Sequence, residues 1–410
     1  MGKHRLKPYP LTIKTIFILT VVLNLLGCSQ DFCDWYRLKI YHPLCDAITL
    51  VTDRVPFPLA EVLMYIGAIL VFIAAVGLLC LGICLMRNVR QHGPIQIQRG
   101  QIQQGQIQQG QIRRGHVLAY LKAVLLITCL VLFIYTVNWV LPFRAGKLTF
   151  GAEADRTYSL EELETLRNSL VECLNEAAET VERDENGQVL YCTDLDTEVA
   201  LAMNRLAELY PDDFSILEGY YPKAKYAMCS DFLEWMDIGG FTYPYTMEVT
   251  TNRYVDPLYY PALLAHEMSH HKGFYQENEA TFLGYLACIE SQDTRLNYSG
   301  YYSVYGYVNR AYLKSLKISI GEEAAAAYYK TQPQLASIVK ADEDYAQQKA
   351  DETYEQSVNK TLEKTVSSSA KAVSEVGWDA QELALGDAYY DNVVELLLKF
   401  YETAGFSITP

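Results

Sequence analysis

Apolar residues along this chain come in two textures. In the first third they form long runs, and beyond that they recur at helical spacing among acidic and tyrosine-rich stretches. The runs cover residues 11–27, 59–86 and 117–143. The second and third exceed the roughly 20 residues needed to cross a hydrocarbon core of about 30 Å. The first is shorter and is trimmed by Lys14 and Asn24. The pattern predicts three N-terminal transmembrane helices, with a membrane region over 1–143 and a separate domain over 144–410.

The pattern of that second part predicts mostly helices. Ser159-Leu160-Glu161-Glu162 has the form of a capping box and should open a helix running to about Arg183. Val199, Met203, Leu206 and Tyr210 share one side of a second helix that ends before Pro211. Residues 241–249 (FTYPYTMEV) are aromatic and β-branched, so they read as a strand, and Pro244 suggests an edge position. A helix begins at Pro261 and stops at Gly273, a natural residue for a helix C-terminus. Residues 280–291, 321–330, 342–364 and 387–403 complete the helical reading. The expected fold is mainly α (α+β), with a small edge-strand sheet.

Charge gives the arrangement a direction. Residues 143–410 carry 21 basic against 44 acidic residues, whereas residues 1–142 carry 13 basic and only 5 acidic ones. So acidic a domain has no basic face to track a phosphate backbone, and nucleic acid is excluded as a partner. Lys3, Arg5 and Lys7 precede the first run, and Arg87, Arg90, Arg99, Arg113 and Arg114 lie in the connection 87–115. The positive-inside rule then puts the N-terminus and this connection in the cytoplasm and residues 144–410 outside it. The connection contains the repeat QIQRG, QIQQG, QIQQG, QIRRG, which is too poor in apolar surface to fold by itself and reads as a disordered linker. A second reading of the first run is a lipoprotein-type cleavage box at Leu25-Leu26-Gly27-Cys28-Ser29. The ten cysteines contain no CxxC pair and assign no disulfide.

Chemistry concentrates in Ala265-His266-Glu267-Met268-Ser269-His270. Residues four apart share a helix face, so His266 and His270 can reach one Zn2+ ion, and Glu267 stands where a general base is needed. Zinc brings the pKa of a bound water towards neutrality, which suits attack on a peptide carbonyl. His271 lies about 100° around the helix and is expected to support the site or face solvent. A third ligand is required. In the HExxHxxGxxH scheme Gly273 fits, but Gln276 stands where the last histidine should be. The glutamate scheme of the gluzincins, with ExxxD or ExxAD on the next helix, is matched by Glu277-Asn278-Glu279-Ala280-Thr281. Glu277 is the expected ligand and Glu279 the fallback. Thr281 replaces the aspartate that usually orients a histidine. Tyrosines of residues 298–312 and Arg310 are candidates for oxyanion stabilisation.

Taken together, FPLAEVL before the second run, GGFTYPYTMEV, PALLAHEMSHHKGFYQENEATFLGYLAC, ADETYEQSVNK and DAYYDNVVELLLKFY resemble an uncharacterised bacterial membrane family, domain-of-unknown-function family 3810. The Gln-rich loop and residues 360–380 depart from it. The resemblance implies a zincin-like extracytoplasmic domain, in a multi-pass protein of the bacterial cell membrane, and leaves the substrate open. The expected function is a membrane-anchored zinc metallopeptidase acting on an unidentified peptide or protein substrate. The alternative is a catalytically inactive zinc-binding scaffold or sensor. A transporter is disfavoured, because the runs contain no intramembrane charged pair.

Overall fold

The computed structural model describes residues 9–91, 104–148, 158–190, 194–358, 363, 366–367 and 388–403. They are mainly helical, with one three-stranded sheet. The N-terminal part comprises α1 (Tyr9–Leu26), α2 (Gln30–Tyr36), a π turn (Arg37–Tyr41), α3 (His42–Thr52), α4 (Leu59–Gln91), α5 (Gln104–Tyr135), a second π turn (Thr136–Val140) and α6 (Leu141–Phe143). Leu59–Cys80 and Leu118–Phe143 are long and apolar enough to cross a membrane. Leu11–Leu26 meets the same standard only together with Gln30–Thr52, from which it is bent by 117°.

The acidic part follows as α7 (Leu160–Thr180), α8 (Leu195–Leu209), α9 (Pro211–Phe214), β1 (Lys225–Tyr226), α10 (Ser230–Trp235), β2 (Gly240–Thr242) and β3 (Val249–Thr251). Then come α11 (Tyr260–His271), α12 (Glu277–Ile289), α13 (Thr294–Ile320), α14 (Glu322–Tyr329), α15 (Ser337–Ser357) and α16 (Ala388–Thr403). The main core lies between α7, α8, α11, α12, α13 and α16, with Leu170, Met203, Met268, Phe282, Leu286, Val304 and Leu397 sealed inside it. The capping box at Ser159 forms in both directions, its hydroxyl accepting from the Glu162 N–H and the Glu162 carboxylate accepting from the Ser159 N–H.

Two expectations need correction. Residues 241–249 are not one strand but a hairpin. β2 pairs antiparallel with β3, and β1 pairs parallel on the other side of β3, giving the order β1-β3-β2. Pro244 has no N–H to give to a ladder, and Met247 adopts a positive φ of 55°, so the chain reverses between them. The connection 87–115 is shorter than the pattern suggested, since α4 continues to Gln91 and α5 begins at Gln104. Extending an existing helix costs far less than nucleating one, and Gln, Ile and Arg carry no large helix penalty. The remainder of the Gln-rich repeat, like most of 360–380, lies outside the described residues. The eight cysteines whose side chains are described are free thiols, Cys28 exposed among them.

Long-range hydrogen bonds lash the apolar helices to the sheet. The buried Glu248 carboxylate, just before β3, accepts from the N–H groups of Leu59 and Ala60 at the start of α4 and pairs with Lys225 of β1. In return Glu61, in the first turn of α4, accepts from the N–H groups of Met228 and Cys229 ahead of α10. Each carboxylate satisfies donors that a helix or turn start would otherwise leave unpaired. At the far end of α5, Asn138 donates to the Pro244 carbonyl at 2.6 Å, and Asn24 of α1 donates to the Thr136 hydroxyl. The start of α4 and the end of α5 therefore meet the acidic part, and the end of α1 lies beside the end of α5.

Tyrosines of α13 serve mainly as struts. Tyr298 donates to Asp342 of α15, which also takes two bonds of 2.7 and 2.8 Å from Arg183. Asp342→Ala strips a largely buried guanidinium of its carboxylate partner, leaving it the Gly187 and Ala178 carbonyls, and is expected to cost about 3 kcal/mol. Ser159→Ala, which removes an exposed cap, is expected to cost about 1 kcal/mol. Thermal unfolding of the detergent-solubilised full chain should therefore show a clearly larger fall in midpoint for Asp342→Ala. Equal falls would contradict the strut assignment.

Candidate metal centre

The site is built on α11 and α12, joined by a tight reversal. Gly273 takes a φ of +93°, which ends α11, and the Phe274 N–H returns to the Ser269 carbonyl. The two helices then pack very closely. A Cβ at Gly284 of α12 would lie 2.9 Å from the Ala262 carbonyl oxygen and 3.0 Å from the His266 nitrogen. Only glycine permits that approach.

The approach brings the expected donors together. Donor atoms of His266, His270 and Glu277 lie within 4.8 Å of one another. The Glu277 carboxylate sits 3.1 Å from His266 Nε2 and 3.5 Å from His270 Nε2. Both imidazoles are oriented from behind. His270 Nδ1–H donates to the Phe274 carbonyl at 2.7 Å, and His266 Nδ1 is 3.1 Å from the Thr281 hydroxyl. Nε2 of each ring is thereby left to face the carboxylate. Thr281 thus occupies, with a hydroxyl, the orienting place that an aspartate was expected to hold.

Glu279, the fallback ligand, is used elsewhere. It is buried and accepts from the Leu148 N–H at 2.7 Å, which fastens the chain after α6 to α12. Helical geometry explains the split, because residues two apart on α12 point to different faces. His271 also turns away from the donors. It is fully buried, contrary to an exposed position, with Nδ1 3.1 Å from the Met247 carbonyl and Cys45 Sγ 3.4 Å away. Burial lowers its pKa to about 3, and Lys272 adds to that effect.

Glu267 faces the sheet. Thr242 of β2 donates to the Glu267 carbonyl at 3.0 Å and approaches its carboxylate at 3.4 Å. A Cβ at Gly240 would lie 2.8 Å from Glu267 Oε1, so the strand can pass this close only because Gly240 has no side chain. Burial raises the Glu267 carboxyl above the usual carboxylate range, although His270 and His266 pull it down. Burial alone would lower His270, but the adjacent Glu277 carboxylate overrides it and brings the imidazole up to about 9. Burial likewise opposes the charge on Glu277, and the two histidines hold its carboxyl far below the usual range.

Of the tyrosines offered by residues 298–312, Tyr298 and Tyr312 are committed to Asp342 and Glu164. Arg310 lies over the Tyr307 ring. A phenol not anticipated from the pattern is Tyr259, at the N-cap of α11, whose pKa is raised by burial and then by Tyr307, Glu267 and Glu277. Its seven-residue offset from His266, close to two helical turns, was the available signal.

The donor set fits a zinc ion. Two imidazole nitrogens and one carboxylate oxygen are the ligand types of three-ligand hydrolytic sites, and the Glu277 side chain keeps 44% of its exposure, so the site is open to solvent. In comparison with known protein families, residues 36–398 fit the one described as "Protein of unknown function (DUF3810)". No curated protein and no solved structure matches the chain.

The pair of shifts has a measurable consequence in chelator. His270, raised to about 9 from 6.5, contributes stability that is full below pH 6.5 and is lost as the pH rises to about 9. Glu277, depressed from 4.5, contributes stability present above pH 4.5 and lost as the pH falls further. The thermal midpoint of the metal-free wild type should exceed that of Glu277→Gln most between pH 4.5 and 6.5, with the gap closing towards pH 9. A gap that widens with rising pH would contradict the geometry.

Proposed function

This chain belongs to the DUF3810 family of proteins of unknown function, and we propose that it is a membrane-anchored, zinc-dependent metallopeptidase with a zincin-like domain outside the cytoplasm. The observation that carries the reading is the convergence of His266, His270 and Glu277 beside a fourth group, Glu267, whose carboxylate is not among the three donors. A purely structural zinc site is normally closed by four protein ligands, whereas three leave room for a water or substrate oxygen. Among the described residues, no fourth His, Cys, Asp or Glu joins the trio. That arrangement favours turnover over an inactive scaffold or sensor.

A bound zinc would supply Lewis acidity and a nucleophilic water near neutral pH. The protein residues do the rest. His266 and His270 present Nε2, held in place by Thr281 and the Phe274 carbonyl. Glu267, raised by burial, is suited to take the proton from the attacking water and to return it to the leaving amine. Among the described residues β2 is paired with β3 alone, and Glu267 packs on the sheet face that Gly240 and Thr242 share, so an extended peptide added at the free edge of β2 would run beside the helix that carries Glu267.

The membrane reading rests on the apolar helices and the charge pattern. We assign α1, α4 and α5 as spans. The start of α4 and the end of α5 contact the acidic part and the end of α1 lies beside the end of α5, an arrangement that supports an odd number of crossings. The basic flanks then lie in the cytoplasm.

Metal analysis of the detergent-purified full chain should find about one zinc per chain, rather than iron. Glu277→Gln should lose it and Glu279→Gln should keep it. Thr281→Ala should weaken zinc affinity about tenfold or more. Glu267→Gln should retain zinc and slow peptide cleavage by at least about 100-fold. A metal-free wild type under zinc-replete conditions would sink the proposal.

A further inference from the structure

We propose that the substrate is an extended segment of a polypeptide anchored in the same bilayer on the N-terminal side of the cleaved bond. The inference rests on the peptidase reading and deepens it.

The argument starts from the hairpin that carries the open edge. β2 runs towards its turn, and the turn is the end tied to the apolar helices. Pro244 is held by Asn138 of the π turn that extends α5, Tyr245 donates to the Val131 carbonyl within α5, and Glu248 holds the first N–H groups of α4. Val131 lies seven residues before Asn138, roughly 10 Å back along the helix. At that level α5 exposes Leu130, Val131 and Leu132, apolar side chains with no reason to face water. Tyr243 and Tyr245, with ring centroids 5.2 Å apart, sit at the tip, where interfacial aromatics are favoured. At its other end the hairpin is tied to α10 through Asn252 and Glu234, and α4 reaches that end on the β1 side, where Glu61 accepts from Met228 and Cys229, away from the free edge of β2.

The metal donors are equally close to the apolar helices. His270 stacks on Tyr275 with a centroid separation of 6.0 Å, and Tyr275 contacts Trp139 at 4.3 Å. Tyr275 also donates to the Asn138 carbonyl. The Lys272 ammonium, nearly fully buried, is fixed by Asp46 of α3 at 3.3 Å and by the Tyr221 ring at 4.5 Å. α3, α4 and the turn after α5 are thus each bonded to the part that carries the metal donors.

Strand direction then gives the substrate its polarity. Antiparallel pairing is the commoner and slightly stronger mode. A peptide added antiparallel to β2 runs opposite to it, with its N-terminal side at the Tyr243–Met247 turn and its C-terminal side away from the apolar helices. Its anchor therefore lies N-terminal to the scissile bond.

Two measurements on the full chain in phosphatidylcholine–phosphatidylglycerol vesicles test this. The first replaces Tyr245 by Trp and reads the added fluorescence quenching by lipids brominated high on the acyl chain. The second compares cleavage of one randomised peptide library carrying an N-terminal palmitoyl chain, a C-terminal palmitoyl-lysine, or no lipid. The expected result is clear added quenching in Tyr245→Trp over wild type, and N-palmitoyl peptides cut at least tenfold faster than the other two. Absent quenching overturns the proposal whatever the activity. Quenching with equal rates, or with faster cutting of the C-terminally lipidated library, overturns it and leaves the peptidase reading standing. Quenching with no cleavage of any library removes both.

Discussion

The site depends on how closely two helices can approach. α11 supplies His266, Glu267 and His270, and α12 supplies Glu277, but these meet only because Gly284 lets the α12 backbone rest against Ala262 and His266. Gly273, at a positive φ, reverses the chain within a few residues, and the Phe274 carbonyl on that turn orients His270. Few positions separate the histidine pair from the third donor, so the turn, the close contact and the ligand geometry form one constraint. Loosening any of them would move Glu277 away from both imidazoles, and a misplacement of about 1 Å is costly for a catalytic constellation.

The same economy joins the site to the apolar helices. Glu248 and Glu61 exchange hydrogen bonds between the sheet region and the start of α4, so neither buried carboxylate lacks donors. Tyr275 bridges the metal helix to α5 through the Asn138 carbonyl and the Trp139 ring. Buried polar links of this kind transmit position rigidly, and they set the open edge of β2 at the level of the apolar helix ends. In this family member, the contacts to the apolar helices and the geometry of the candidate metal site share residues.

Much of this was legible along the chain, because it is local. The Ser159 capping box, the end of α11 at Gly273 and the histidine pair depend on residues within a turn or two of one another. Glu277 is preferred over Glu279 because it heads the string that matches the ExxAD pattern of the glutamate scheme. What escaped the pattern is non-local or conformational. Residues 241–249 carry strand-forming side chains throughout, and only Pro244 and the left-handed Met247 reveal the turn that divides them. Thr281 looked like a missing carboxylate, whereas its hydroxyl reaches His266 Nδ1 across the helix interface. Glu248 and Glu61 read as ordinary acidic residues, since the backbone N–H groups they accept from lie more than 160 positions away. The Gln-rich repeat was read for its lack of apolar surface, but residues next to an established helix need only propagate it.

The central claim is that His266, His270 and Glu277 together hold zinc, and it is tested most directly by zinc K-edge absorption fine structure on the zinc-loaded full chain. The account predicts imidazole scattering from two histidines at about 2.0–2.1 Å, with the remaining shell of oxygen at about 2.0–2.2 Å. A sulfur shell near about 2.3 Å, or scattering from three or more imidazoles, would contradict it.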